Sequence, residues 1–402
     1  MGQTPQRMTL PLAGVSVLEF THAVMGPACG VILADLGADV LRIEPVDGDP
    51  TRRLRGFGTG YFPYFNRNKG SLALDLKAPE GKEVVLRLAK TADVVIENFG
   101  PGTMERLGYG WEVLSALNPR LVYCALKGFL SGPYEKRHAM DEVVQMMGGL
   151  AYMTGPPGQP LRAGTSVIDI TGGMFGVIAI LLALRERAAT GKGSKVKSAL
   201  FETTAFLMGQ HMAYAALTEG PVPPMAARVS AWSVYRIFTG KDGQPVFVGL
   251  ISDKHWERFC EAFGREDLLL DPRLLTNNDR IRERAWLLPE IERLLGAFTR
   301  DEIIARCEKA DVPFAPIARP EDLFTDPQLN QGAGLLPTTF PGGVKTKMPR
   351  LPIEVGRHDF GIRRDPAAIG ADTRDVLRGA GYTDLEIDAL LAKGVVFAPD
   401  RG

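Results

Sequence analysis

VSVLEFTHAVMGPACGVILADLGADVLRIE, residues 15–44, carries the fold in its pattern. Residues 15–20 form a short apolar, β-branched run. Residues 27–36 put apolar side chains at helical spacing behind a proline, and residues 39–44 form a second β-type run. Strand, helix and strand in this order predict a right-handed crossover and a parallel pair of strands. The same alternation continues outward. Residues 71–76, 93–99 and 121–129 read as strands, and 79–92 and 111–117 as helices. A helix over 171–189, a further strand over 195–201 and a helix over 203–217 follow. The expected fold class is α/β: an open, mainly parallel Rossmann-like sheet covered on both faces, with ligands gathering at the carboxyl ends of its strands.

At Gly220-Pro-Val-Pro-Pro-Met the pattern breaks. Residues 233–239 and 245–250 flank Gly240-Lys-Asp-Gly-Gln, a hairpin signature that opens a smaller α+β domain. Helices over 253–263, 284–298 and 300–310 and an apolar run over 312–317 continue it. A Pro- and Gly-rich return over 320–366 and two short helices, 372–378 and 383–391, end the chain. The domains expected are 1–220, completed by 330–402, and 221–329 between them.

Composition narrows the function. The chain of 402 residues balances 47 Lys and Arg against 47 Asp and Glu, so it has no global field to hold a nucleic-acid backbone or an anionic membrane. The longest apolar stretch, 172–184, is too short for a bilayer span and reads as a buried helix. The first residues lack an apolar signal core, which leaves the cytoplasm as the expected compartment. Cys29, Cys124, Cys260 and Cys307 form no CxxC pair, and the five histidines show no ligand spacing, so no metal is expected. The loop after the first strand lacks GxGxxG, which argues against a dinucleotide cofactor although Glu44 ends the second strand. Gly26-Pro27 opens a helix whose N–H groups can receive an anion or a carbonyl oxygen. The basic run 51–55 suits either a phosphorylated ligand or a solvated loop. Trp256 and His255 suit core and surface rather than catalysis.

The most informative segment is Gly164-Thr-Ser-Val-Ile-Asp169-Ile-Thr-Gly-Gly-Met174. Asp169 is either a helix N-cap or a carboxylate nucleophile, with the paired glycines clearing a path for a substrate.

Several ordered pieces resemble the family III CoA-transferases, which include formyl-CoA and carnitine-related CoA-transferases. They are Gly26-Pro27, Ala34-Asp-Leu-Gly-Ala-Asp-Val with Ile43-Glu-Pro, Asn68-Lys69, Leu74-Asp-Leu-Lys77 and Asp93-Val-Val-Ile-Glu-Asn-Phe99-Gly-Pro-Gly. Arg106-Leu-Gly, Asp141 with Gln145, Asp169 with Gly172-Gly173-Met174, and Gly191-Lys-Gly continue the series. Gly370-Ala-Asp-Thr373 resembles a family turn, with Asp372 in place of its usual His. The resemblance implies a sheet domain completed by the C-terminal segment, an interlocked homodimer, and CoA transfer between carboxylic acids through aspartyl anhydride and aspartyl-CoA thioester intermediates. By this resemblance Asp169 is the nucleophile. Val24, Met25, Leu74, Lys77, Asn98, Phe99, Gly100, Arg106, His138, Met140 and Asp141 hold CoA, which is a substrate and not a tightly bound cofactor.

Succinyl-CoA is the donor expected, because many members of the family use it. Val24 and Pro45 stand where formyl-CoA transferases carry Gln and Arg, which argues against a formyl and oxalate pair. Ile251-Ser-Asp-Lys replaces their glycine-rich loop, and Arg162 or Arg228 could select a second carboxylate. The rival within the superfamily is an α-methylacyl-CoA racemase, which pairs the aspartate with a histidine at the position of Met140. A thioether cannot move a proton, and His138 is two positions away.

Overall fold

The computed structural model describes residues 9–218, 220–228 and 230–400. The chain divides into two compact units, one from the segment up to Ala226 together with that from Pro327 onward, the other from Ala227–Asp326.

The larger unit is built on a seven-stranded sheet. Its strands are β1 (Ser16–Phe20), β2 (Asp39–Glu44), β3 (Lys69–Leu74), β4 (Val94–Glu97), β5 (Val122–Lys127), β6 (Lys195–Ala199) and β12 (Val396–Phe397), in the order β12-β3-β2-β1-β4-β5-β6. All neighbours run parallel except β12, which lies antiparallel on β3. Alternation along the strands feeds two cores. Val17, Val94 and Cys124 face the helices Met25–Asp35 and Val167–Thr190. Leu18, Val95 and Tyr123 face the opposite layer, with Val84 and Val85 of Pro79–Ala89 and with Leu377, Ile387 and Leu390 from the C-terminal helices Thr373–Gly379 and Asp384–Ala392. Both faces are therefore covered, as parallel strands require.

The hairpin read at Gly240–Gln244 is present. In the smaller unit β7 (Tyr235–Thr239) pairs antiparallel with β8 (Pro245–Gly249), and β9 (Phe314–Pro316) adds to β8. The helices Asp253–Ala262, Arg284–Leu295 and Arg300–Lys309 pack on it through Trp256, Phe259, Leu287, Ile291 and Ile303.

Several expectations need correction. The helix expected from 171 begins at Val167, because its first N–H groups find an acceptor elsewhere in the chain. The strand expected over 71–76 begins at Lys69. The helix expected over 203–217 is two, Leu200–Leu207 and Gly209–Thr218. The return over 320–366 contains a hairpin, β10 (Leu335–Phe340) and β11 (Val344–Pro349), turned by Pro341-Gly-Gly with both glycines at positive φ. The stretch 172–184 is the middle of a 24-residue helix, long and apolar enough by length and composition to cross a membrane. The buried helix expected there is buried along one face only, through Gly172, Gly173, Gly176, Val177, Ile180 and Ala183, while Met174, Ile178 and Leu182 are exposed.

Candidate active site

In an open parallel sheet the ligand crevice opens where successive connections leave to opposite faces. Here that point lies between β1, which continues into Met25–Asp35 on one face, and β4, which leads to the helix Trp111–Leu117 on the other. A cavity of about 700 Å³ occupies it, with Val24, Asn98, Phe99, His138, Asp141 and Asp169 among its walls. The two loops are tied together by Asn98, whose Oδ1 accepts from the His22 N–H (3.0 Å) and whose Nδ2 donates to the His22 carbonyl (2.9 Å). Ala23 adopts φ +59° within the turn, a conformation that side chains other than glycine rarely take.

Asp169 lies in the first turn of Val167–Thr190, but it does not cap that helix. Asp141 does so from its own short helix, Asp141–Met147: its Oδ2 accepts from the N–H groups of Ile168 (2.9 Å) and Asp169 (3.1 Å). Gln145 holds the other oxygen of Asp141 and fixes the Ala163 N–H (2.8 Å), and Arg162 stands 3.5 Å from the same carboxylate. The N-cap reading of Asp169 therefore fails: Asp141 is the acceptor at this N-terminus, and the helix already starts at Val167, which puts Asp169 inside the first turn. Among the described residues its carboxylate accepts no hydrogen bond. Burial, then the Asp141 charge, push its pKa up to about 7, with Arg162 opposing. A carboxylate in this state is a stronger base and a better nucleophile than one dispersed by hydrogen bonds.

The glycines that follow serve a different purpose from the one expected. A Cβ on Gly173 would lie 2.7 Å from the Met25 carbonyl oxygen and 3.0 Å from the Cys29 nitrogen. On Gly172 it would meet the Met25 methyl at 2.7 Å, and on Gly176 the Leu126 side chain at 2.7 Å. None of the three lines the cavity: Gly173 lets two helices touch backbone to backbone, Gly172 makes room for the Met25 side chain, and Gly176 makes room for Leu126 of β5. One turn before this seam, Asp169 is brought beside the head of Met25–Asp35. That head has no side-chain cap. Pro27 has no N–H and Ala28 donates to Val24 (2.7 Å), which leaves the N–H groups of Met25 and Gly26 without partners among the described residues.

Of the residues singled out from sequence, Val24, Met25, Asn98, Phe99, Gly100, His138, Met140 and Asp141 line the cavity with Asp169. Leu74, Lys77 and Arg106 do not. Leu74 is buried in the core, Lys77 is exposed beyond β3, and Arg106 lies at the rim, donating to Pro101 (3.4 Å) and Thr103 (2.8 Å). Sequence reasoning missed Tyr61, Lys127 and Arg137, which also line it. Lys127 ends β5, so the rule of strand carboxyl ends could have found it. Its Nζ donates to Glu97 (2.6 Å) and to the Phe99 carbonyl (2.8 Å). His22, whose ring lies 5.9 Å from that of Phe99, is held below the ordinary imidazole pKa, chiefly by desolvation of its ring in the crevice.

The remaining candidates are structural. Arg52 makes a two-point pair with Glu44 (2.8 and 2.6 Å), which disposes of both the ribose acid and the phosphate-binding reading of that arginine. Asp372 accepts from the Ser71 N–H (2.8 Å) and from Arg364 (2.7 Å), fastening the C-terminal segment to β3. The four cysteines are buried and free, and among the described residues no group of three His, Cys, Asp or Glu could hold a metal.

A switch-point crevice with a half-buried carboxylate beside a second helix head is the setting of an α/β enzyme site. Residues 12–373 match CoA-transferase family III. The chain is 35% identical to succinate–glutarate CoA-transferase of Agrobacterium fabrum over 81% of its length and 84% of that protein. It is 31% identical to formyl-CoA:oxalate CoA-transferase of Rhodopseudomonas palustris over 98% and 99%. The crystal structure of a CAIB/BAIF family protein from Brucella suis superposes with a TM-score of 0.82 at 31% identity, covering 93% of this chain and all of that one. The protein belongs to CoA-transferase family III and is an acyl-CoA:carboxylate CoA-transferase.

Proposed function

We propose that Asp169 is the nucleophile of a double-displacement CoA transfer. The carboxylate attacks the acyl carbon of the donor acyl-CoA and expels CoA thiolate, giving an aspartyl–acyl anhydride. The thiolate attacks the aspartyl carbonyl, releases the donor acid and leaves an aspartyl-CoA thioester. The acceptor carboxylate then attacks this thioester carbonyl and frees the thiolate, which takes the acceptor's acyl carbon and restores Asp169. The N–H groups of Met25 and Gly26, on the positive end of their helix, are the donors we assign to the tetrahedral oxyanions. The observation that carries the reading is the Asp169 carboxylate itself: without a hydrogen bond among the described residues, raised in pKa chiefly by burial, and sharing its cavity with the head of Met25–Asp35.

CoA lies along the remaining walls, from Val24 and Met25 past Asn98, Phe99 and Gly100 to His138, Met140 and Asp141. Lys77, Arg106 and Arg137 meet its phosphates, and Leu74 contributes only its main chain. Succinyl-CoA is the donor we favour, and the similarity to a succinate–glutarate enzyme supports a dicarboxylate pair. The working form we assign is a cytoplasmic homodimer. Met174, Ile178 and Leu182 form an exposed stripe on the long helix, beside exposed Phe206, and a second copy would cover it.

Intact-protein mass spectrometry with a panel of acyl-CoAs, followed by hydroxylamine trapping and peptide mapping, tests the mechanism. A CoA adduct or a hydroxamate at Asp169, absent from Asp169→Asn, is expected. The racemase reading draws on His138 lining the same cavity. Exchange of the α-proton of a 2-methylacyl-CoA without any Asp169 adduct would put it in place of the transferase mechanism.

A further inference from the structure

Under the turn that joins β1 to its helix lies a buried ionic cluster that takes no part in the steps above. Glu19 on β1, Arg42 on β2 and Lys69 on β3 are each at most 1% exposed. Glu19 stands opposite Arg42, Arg42 opposite Ser71, and Lys69 two residues before Ser71, so all three occupy the sheet face that carries Met25–Asp35. Arg42 donates to Glu19 (2.9 Å) and pairs with Asp49, while Lys69 donates to Glu19 (3.0 Å) and both cations reach Asn66 Oδ1 (3.1 and 3.2 Å). Buried ion pairs contribute little net stability compared with apolar packing, so the geometry they impose is the better account of them.

What they hold is the turn. Arg42 Nη2 donates to the Thr21 carbonyl (3.0 Å), Thr21 Oγ1 donates to Glu19 (2.7 Å), and Lys69 Nζ donates to the Pro27 carbonyl (3.0 Å). These two carbonyls bracket residues 22–26, the segment bearing the Met25 and Gly26 N–H groups. The fit leaves no slack: a Cβ on Gly30 would fall 1.6 Å from a Glu19 carboxylate oxygen and 2.9 Å from Lys69 Nζ. We infer that Lys69, acting with Glu19 and Arg42, is a positioning residue that sets the oxyanion donors against Asp169 and thereby governs the acyl-transfer step without taking part in CoA binding. This rests on Asp169 being the nucleophile.

The test uses the full chain, with wild type, Lys69→Met and Glu19→Gln compared by the single-turnover rate of Asp169 labelling by succinyl-CoA and by the Kd of free CoA. Displacing the donors by about 1 Å should slow labelling by roughly 100-fold while Kd changes less than about 3-fold. If the variants label at the wild-type rate, or lose rate, affinity and melting temperature together, the role is structural and the inference falls. If wild type acquires no adduct at all with any acyl-CoA, the nucleophile assignment fails instead.

Should the variants not fold, the wild-type pH profile decides. Burial, the largest influence, pulls the Lys69 pKa down to about 8. The groups facing it are Glu19 and Arg42 from the neighbouring strands, with Asp49 behind Arg42, and the Cys29 thiol from the helix. The labelling rate at saturating donor should therefore fall as pH rises through about 8 with CoA affinity unchanged. A rate that stays flat across this range overturns the inference.

Discussion

Replacing the proposed nucleophile should make the protein more stable, increasingly so as pH rises. In wild type the Asp169 pKa is raised from 3.8 to about 7. Below about pH 4 the carboxyl is neutral in both folded and unfolded chains and costs nothing. Between the two values the unfolded chain ionises while the native state keeps its proton, and stability falls as pH rises. Above about 7 the charge is forced into the cavity and the penalty reaches its ceiling. Asp169→Asn has the same shape and no charge, so it escapes this loss. Integrating the linkage relation, the advantage of the Asn variant should grow by about 2.5 kcal/mol between about pH 5 and pH 8, less to the extent that water enters the cavity. Urea unfolding of both proteins, at one protein concentration in each buffer, measures it, because the other titrating groups largely cancel in the difference. The same variant should form no adduct. A gap that does not change with pH, or a wild type that is the more stable protein at pH 8, would refute the claim that Asp169 is charge-strained.

Removing the neighbouring charge with Asp141→Asn should lower the Asp169 pKa, so the acid limb of the labelling rate should move to lower pH. Because one oxygen is replaced at a helix cap, stability should also fall by about 1 kcal/mol, read by urea unfolding. Leu182→Glu places a charge in the exposed apolar stripe and should convert a dimer into a monomer in analytical ultracentrifugation; an unchanged sedimentation coefficient would remove that face from the interface.

The parallel core was legible because a strand buried on both faces must be almost continuously apolar, as Val94–Val95–Ile96 is, and because Pro79 and Gly191 mark a helix start and stop. Strand pairs made late in the chain were not. β12 is two residues long and takes its register from β3, and the Pro341-Gly-Gly turn was submerged in a generally Gly- and Pro-rich return. At the site, Asp169 stood out by its setting before paired glycines, but its cap lies 28 residues away at Asp141, a distance that no local pattern spans. The glycines themselves were visible and misread, since only the packed helices reveal that they face the head of Met25–Asp35 and not a ligand.

That backbone seam also bears on how such a site can diversify. Where Gly173 meets the Met25 carbonyl, the spacing of the proposed nucleophile and the proposed oxyanion donors is set by main-chain atoms, below the level at which side chains vary. Arg137, elsewhere on the cavity wall and stacked on Phe129 and Tyr134, does not touch that seam. Libraries that aim to change which acid is accepted should therefore vary the wall and leave the seam intact.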